Sequence, residues 1–144
     1  MVNLRRGKYR YIGGGSSREV YDLNNGYVVK VAKNRAGIEQ NKTEYRIYSK
    51  DNTGIFAKIV QVSDNYEYVV MKKARKVKRI EEVWKYFNVS NKMEFYNVGE
   101  IERLRNKYNL ILADINRVSS WGIINGNLVI IDYGFTQAVK RKYY

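Results

Sequence analysis

The chain contains no histidine, no cysteine and no proline. The first two absences exclude an imidazole base, a thiolate nucleophile, a disulfide and any Cys/His zinc site. Chemistry must then rest on Asp, Glu, Lys, Ser, Tyr and backbone groups. Without proline, turns depend on asparagine and on the 11 glycines. Long apolar runs are missing too: none approaches the ~20 residues that cross a bilayer. Met1-Val2-Asn3-Leu4-Arg5-Arg6 lacks the apolar stretch of a signal peptide. Together these predict a cytoplasmic protein with no membrane association.

Acidic residues are scarce. Fourteen Asp and Glu face 27 Lys and Arg, a net charge of +13, which predicts an anionic partner: a nucleotide, a nucleic acid or an acidic protein face. Fourteen tyrosines add rings able to stack on bases, although core and amphipathic surface positions are their commoner use. A chain of 144 residues, 44% hydrophobic and 28% charged, predicts one soluble globular domain over 1–144 with a real core. It shows no internal repeat and no linker.

What is present concentrates near the C-terminus, in Val129-Ile130-Ile131-Asp132-Tyr133-Gly134-Phe135. A β-branched run predicts a buried strand. It ends on a carboxylate that is costly to bury unpaired, and the glycine allows a sharp turn beyond it. Asp132 is either an ordinary turn residue or a metal ligand. The second reading needs a phosphate site upstream.

Upstream, Tyr9-Arg10-Tyr11-Ile12 reads as a strand and Gly13-Gly14-Gly15-Ser16-Ser17 as a glycine-rich loop. Arg18-Glu19-Val20-Tyr21-Asp22-Leu23 is a second strand, and Asn24-Asn25-Gly26 is a hairpin signal before a third over 27–32. Such a loop is either a flexible hairpin tip or a cradle whose amides meet phosphate oxygens. A three-residue turn with Gly26 left-handed pairs Leu23 with Tyr27 and Val20 with Lys30, which puts Lys30 under the loop. A two-residue turn would expose Lys30 and leave Lys33 as the candidate. The spacing next predicts a helix over 38–50, with Asn41, Glu44 and Tyr48 along one stripe. Glu44 then either faces the sheet and meets the lysine or is solvated.

Residues 55–62 and 66–71 read as two further strands, joined at Ser63-Asp64-Asn65. Lys72-Lys73-Ala74-Arg75-Lys76-Val77-Lys78-Arg79 is the densest basic run, either a solvated connector or an anion-binding patch. Helices are predicted over 80–87 and 100–108. Leu110-Ile111-Leu112-Ala113 leads into a loop bearing Asp114, and a second hairpin over 123–128 leads to Asp132.

The order of glycine loop, strand lysine, helix glutamate, connector, loop aspartate and strand-end aspartate resembles the protein-kinase-like fold, which includes the aminoglycoside and lipopolysaccharide kinases. The likeness spans residues 9–136. It implies an α+β protein: a five-stranded antiparallel N-lobe sheet with one helix over 1–71, a hinge over 72–79 and a reduced, mostly helical C-lobe over 80–144. By this resemblance Gly13, Gly14, Gly15, Ser16 and Val20 cover ATP. Lys30, fixed by Glu44, neutralises phosphate, and Met71, Lys72 and Ala74 border the adenine. Asp114 orients the acceptor hydroxyl and Asp132 holds Mg²⁺.

The departures shape the expectation as much. No His-Arg precedes Asp114. The family's metal-binding asparagine, five positions on, falls on Ser119, or on Ser120 if the loop has an extra residue; Asn116 substitutes only in a remodelled loop. A hydroxyl is a weaker Mg²⁺ ligand than an amide oxygen. Ten residues follow Gly134, which leaves no room for an activation segment or a protein-substrate platform. The expectation is therefore a minimal kinase-like ATP/Mg-binding protein, either a phosphotransferase or a pseudokinase. As a pseudokinase it would hold nucleic acid or an acidic protein through residues 72–79 and Lys140-Arg141-Lys142. Thinly covered helix faces favour an oligomer, and the compact, proline-free, Tyr- and Lys-rich style resembles bacteriophage-encoded kinase-like proteins.

Overall fold

The computed structural model describes residues 8–144, so the signal-peptide reading of residues 1–6 lies outside the described residues. Strands β1 (Arg10–Gly14), β2 (Arg18–Asp22) and β3 (Tyr27–Ala32) form a meander. Helix α1 (Arg35–Lys50) follows, then β4 (Ile59–Val62) and β5 (Tyr68–Lys72). The five strands make an antiparallel sheet in the order β1-β2-β3-β5-β4. The hairpin after β2 has the anticipated turn. Gly26 is left-handed at φ 89°, the Leu23 amide donates to the Tyr27 carbonyl at 3.0 Å, and Val20 faces Lys30.

Helix α1 starts three residues before its predicted position. The Asn34 side chain accepts from the Gly37 amide at 3.0 Å, an N-cap that lies ahead of the first apolar residue of the stripe. The helix packs on the sheet through an unusually polar face: Gln40, Asn41, Thr43 and Glu44 are all buried with Ile47. Burial of that many polar groups requires partners on the sheet and beyond it.

The strand predicted over 55–62 is divided. Only Ile59–Val62 joins the sheet, while Phe56 makes a parallel bridge to Ile130 and the Ala57 amide donates to the Ile130 carbonyl at 2.9 Å. This segment therefore ties the first sheet to a second one. That sheet contains β6 (Arg75–Lys76), β7 (Trp121–Ile124) and β8 (Asn127–Ile130) in sequential order. Between β6 and β7 lie α2 (Ile80–Tyr86), α3 (Lys92–Tyr96), α4 (Gly99–Tyr108), α5 (Leu112–Ile115) and a 3-10 turn, Val118–Ser120. Helix α6 (Gln137–Tyr143) returns against α1.

A continuous apolar cluster runs from Val28, Val69 and Met71 under the first sheet to Phe95, Ile101, Trp121 and Ile130 among the helices. No helix among the described residues is long and apolar enough to cross a membrane.

Candidate functional site

Glu44, with no solvent exposure, is the acceptor at the centre of the site. Its carboxylate takes the Lys30 ammonium at 3.1 and 3.0 Å, both terminal nitrogens of Arg18 at 2.8 and 3.1 Å, and the amides of Tyr133 and Gly134 at 3.0 and 3.1 Å. Lys30 also donates to the Ile131 carbonyl at 2.5 Å. The carboxylate thus joins β2, β3, α1 and the Asp-Tyr-Gly turn. Burial alone would push its pKa up, but the charges of Arg18 and Lys30 outweigh burial and hold it down at about 2. Burial lowers the Lys30 pKa, opposed by Glu44 and assisted by the like charge of Arg18.

The glycines make these approaches feasible. A Cβ on Gly134 would lie 2.5 Å from the Gln40 carbonyl oxygen, and one on Gly37 would lie 2.1 Å from that of Ser17. The first lets the Asp-Tyr-Gly turn lie against α1. The second lets the opening turn of α1 abut the glycine loop. The loop is a tight hairpin tip in which the Gly15 amide donates to the Arg18 carbonyl at 3.0 Å. It is tied down from behind by the Lys33 amide to the Ser17 carbonyl at 2.8 Å and by Asn34 Nδ2 to the Ser16 carbonyl at 3.1 Å. Lys33, the alternative cation, is exposed and donates to the Gly15 carbonyl at 3.3 Å.

A cleft of about 1130 Å³ lies beneath the loop. Gly13, Gly14, Gly15, Ser16, Val20, Lys30, Met71, Lys72, Ala74, Asp114, Ser119 and Asp132 all line it. Glu44 stands behind its floor. Asp114, half-buried, accepts from Arg117 at 3.1 Å; burial and the neighbouring negative charge of Asp132 raise its pKa. The connector carries less free backbone than a hinge reading implies. The Lys72 amide donates to the Lys58 carbonyl at 2.8 Å and the Lys73 amide to the Gly26 carbonyl at 2.9 Å.

Sequence reasoning missed Arg18. It is buried, and beyond Glu44 it donates to Asn41 Oδ1 at 3.0 Å and Asp132 Oδ1 at 2.9 Å. A signal was present: Arg18 lies two residues from Val20, so strand alternation gives the two the same face. Tyr144 was also missed. Its hydroxyl meets Ser17 Oγ, and its ring packs edge-on to Phe135 with centroids 5.2 Å apart. It carries no apolar periodicity to announce it.

The expected Mg²⁺ ligands, Asp132 and Ser119, both line the cleft. Asp132 Oδ1 is already held by a guanidinium, and Arg18, gripped by Glu44 through both nitrogens, stays charged because Glu44 and Asp132 overcome the cost of its burial. The two alternative ligands are committed elsewhere: Asn116 Oδ1 accepts from Trp84 Nε1 at 2.9 Å, and Ser120 Oγ donates to the Asp114 carbonyl at 2.8 Å. Among the described residues, no cluster of three or more His, Cys, Asp or Glu is arranged to hold a metal.

No protein-family model matches the sequence, and no curated protein does either. Solved structures do. The aminoglycoside phosphotransferase APH(2'')-IIa, in a ternary complex with streptomycin and ATP, superposes with a TM-score of 0.50 at 18% identity, over 93% of this chain and 72% of that one. SAICAR synthase from Saccharomyces cerevisiae, complexed with SAICAR, gives a TM-score of 0.45 at 9% identity, over 92% of this chain and 75% of that one. The fold is protein-kinase-like, with a mixed α+β architecture built on a five-stranded antiparallel sheet.

Proposed function

We propose that the cleft binds ATP, with the triphosphate between the glycine loop and Lys30 and the base against the connector. The observation that carries this reading is Lys30 itself: a buried ammonium fixed by Glu44 on the floor of a cleft roofed by Gly13–Ser17. Held by Glu44, the ammonium is pre-oriented and loses little rotamer freedom when an anion binds. The lining as described carries eight Lys and Arg side chains against two carboxylates, Asp114 and Asp132, so the whole cavity favours a polyanion. Asp114, which lines the same cleft, would orient an acceptor hydroxyl. With Asp132 engaged by Arg18, nucleotide binding rather than phosphoryl transfer is the activity the geometry supports best.

Thermal unfolding with ATP tests the reading. Ligand at about a hundredfold above its Kd adds ~2.7 kcal/mol of stability, a Tm rise of several degrees for a chain of this size. Lys30→Met should lose that rise while still unfolding cooperatively, because Arg18 continues to pair with Glu44. A wild-type Tm indifferent to ATP, or a K30M shift equal to that of wild type, contradicts the proposal.

A second reading is a scaffold that holds nucleic acid or an acidic protein. Its support is the exposure of Lys78, Arg79, Lys140 and Arg141 outside the cleft lining. It predicts binding to single-stranded oligonucleotide that weakens steeply with salt and is reduced by replacing Lys78 and Arg79 with alanine. Binding insensitive to either change removes it.

A further inference from the structure

The charges at the phosphate end of the cleft are matched within the protein, and those at its connector end are not. We propose that the cleft takes an adenine nucleotide bearing a second anionic group, a phosphate on the ribose, which Arg10 and Lys76 hold at the connector end. This rests on the ATP reading above and names the class of nucleotide that the site selects.

At the phosphate end, Arg18 and Lys30 meet Glu44 and Asp132, and Arg117 pairs with Asp114 at 3.1 Å. The other cations of the lining are Arg10, Lys72, Lys73, Arg75 and Lys76. One carboxylate stands among them: Asp22 accepts from Lys73 Nζ at 2.6 Å. That bond first, and the charge of Arg10 to a smaller degree, lower the Asp22 pKa. Among the described residues, the side chains of Arg10 and Lys76 make no hydrogen bond and no ion pair. Their donors are free for a ligand, and the excess positive charge of the cavity sits on this side.

Strand register aims both cations at the cleft. Arg10 pairs with Asp22 across β1 and β2, while Asp22 pairs with Val28 and Val20 with Lys30 across β2 and β3. Paired residues share a face and alternate residues along a strand return to it. Arg10 therefore lies on the face that carries Val20, Val28 and Lys30, all in the cleft lining. In the second sheet Lys76 pairs with Gly122. A Cβ on Gly122 would lie 2.5 Å from the Ala74 Cβ and 3.2 Å from Ile131 Cγ2, and both of those residues line the cleft. The bond from Lys73 to Asp22 brings the two faces to one end. By strand rise, Arg10 stands roughly 13 Å from Gly14 along β1, and its row stands roughly 7 Å from the Lys30 row. With the 5′ phosphates at Lys30 and the base against the connector, the ribose hydroxyls are what remains to carry a second anion. A phosphate there suits a guanidinium fork on one side and an ammonium on the other.

Isothermal titration of the full chain with ATP, ADP and the 3′,5′- and 2′,5′-bisphosphates of adenosine decides the matter. ADP and the bisphosphates carry the same number of phosphates and differ in where the second one sits. At least one bisphosphate should bind the wild-type protein about fivefold tighter than ADP, or more. Arg10→Met combined with Lys76→Met should bring that bisphosphate and ADP within about twofold of each other. Both side chains are exposed, and the wild-type comparison stands even if the double variant does not fold. Phosphorus NMR supplies a second readout: the ribose phosphate resonance should shift with wild-type protein and stay in place with the double variant. Bisphosphates that fall short of that margin while ATP binds overturn the proposal and leave the ATP reading standing. A preference that survives the double substitution overturns it too. Failure of ATP to bind overturns the ATP reading, and this proposal with it.

Discussion

Replacing Glu44 with glutamine would leave Arg18 and Lys30 buried with no full negative charge between them, and would weaken the acceptor for the Tyr133 and Gly134 amides. Breaking a buried ion pair from one side costs ~3–5 kcal/mol. Urea denaturation of Glu44→Gln should show a loss of that order, and a loss under about 1 kcal/mol would mean the cluster is solvated. The same carboxylate sets an acid limit. Its folded pKa of about 2 lies below the ordinary 4.5, so the folded state holds fewer protons here than the unfolded one. The stabilisation is fully present above pH 4.5 and is lost as pH falls from there toward 2. A Tm series across that window should decline in the wild type and flatten in Glu44→Gln. Equal slopes would remove Glu44 as the cause. Of these residues, Lys30 and Glu44 were legible because turn chemistry and helical spacing each fix a direction. Arg18 was not read because a charged residue after a glycine loop looks solvent-facing until its three acceptors, from α1 and the Asp-Tyr-Gly turn, are in place.

At the scale of elements, two glycines set how closely α1 approaches what it supports. Gly37→Ala places a methyl 2.1 Å from the Ser17 carbonyl oxygen, so either the helix start or the glycine loop must move. Overpacking of this kind costs ~1–3 kcal/mol. Because the shift is at the cleft roof, the ATP-induced Tm rise should shrink as well. A variant as stable and as ATP-responsive as the wild type would show that the loop yields freely. Elements with strong local signals were legible in the sequence: the Asn-Asn-Gly hairpin, the helix now at Gly99–Tyr108 and the strand before Asp132. Elements set by tertiary partners were not. Residues 55–57 are apolar enough for a strand, but they pair with Ile130 instead of extending β4. Helices α3 and α6 span five and seven residues with one buried side chain each, Phe95 and Val139. Such segments show no readable periodicity, and only the caps at Asn91 and Thr136 mark them.

Across the whole molecule, the excess of positive charge and the kinase-like fold meet in one place. The basic run that reads as a connector in sequence supplies Lys72, Lys73, Arg75 and Lys76 to the cleft, where β6 pairs with β7 and brings it beside Asp114 and Asp132. Part of the +13 charge is thus directed inward at a cavity rather than spread over a solvated face. ATP affinity should accordingly fall as salt rises, since the attraction is largely electrostatic; an affinity unchanged between low and high ionic strength would point to base contacts instead. Hydrogen–deuterium exchange with and without ATP tests whether this cleft is a nucleotide site. Binding there should add protection in residues 13–18 and 130–134, on the two sides of the Lys30–Glu44 pair, with residues 92–105 unchanged. Exchange unaffected by ATP in both segments, or protection confined to residues 137–144, would contradict it.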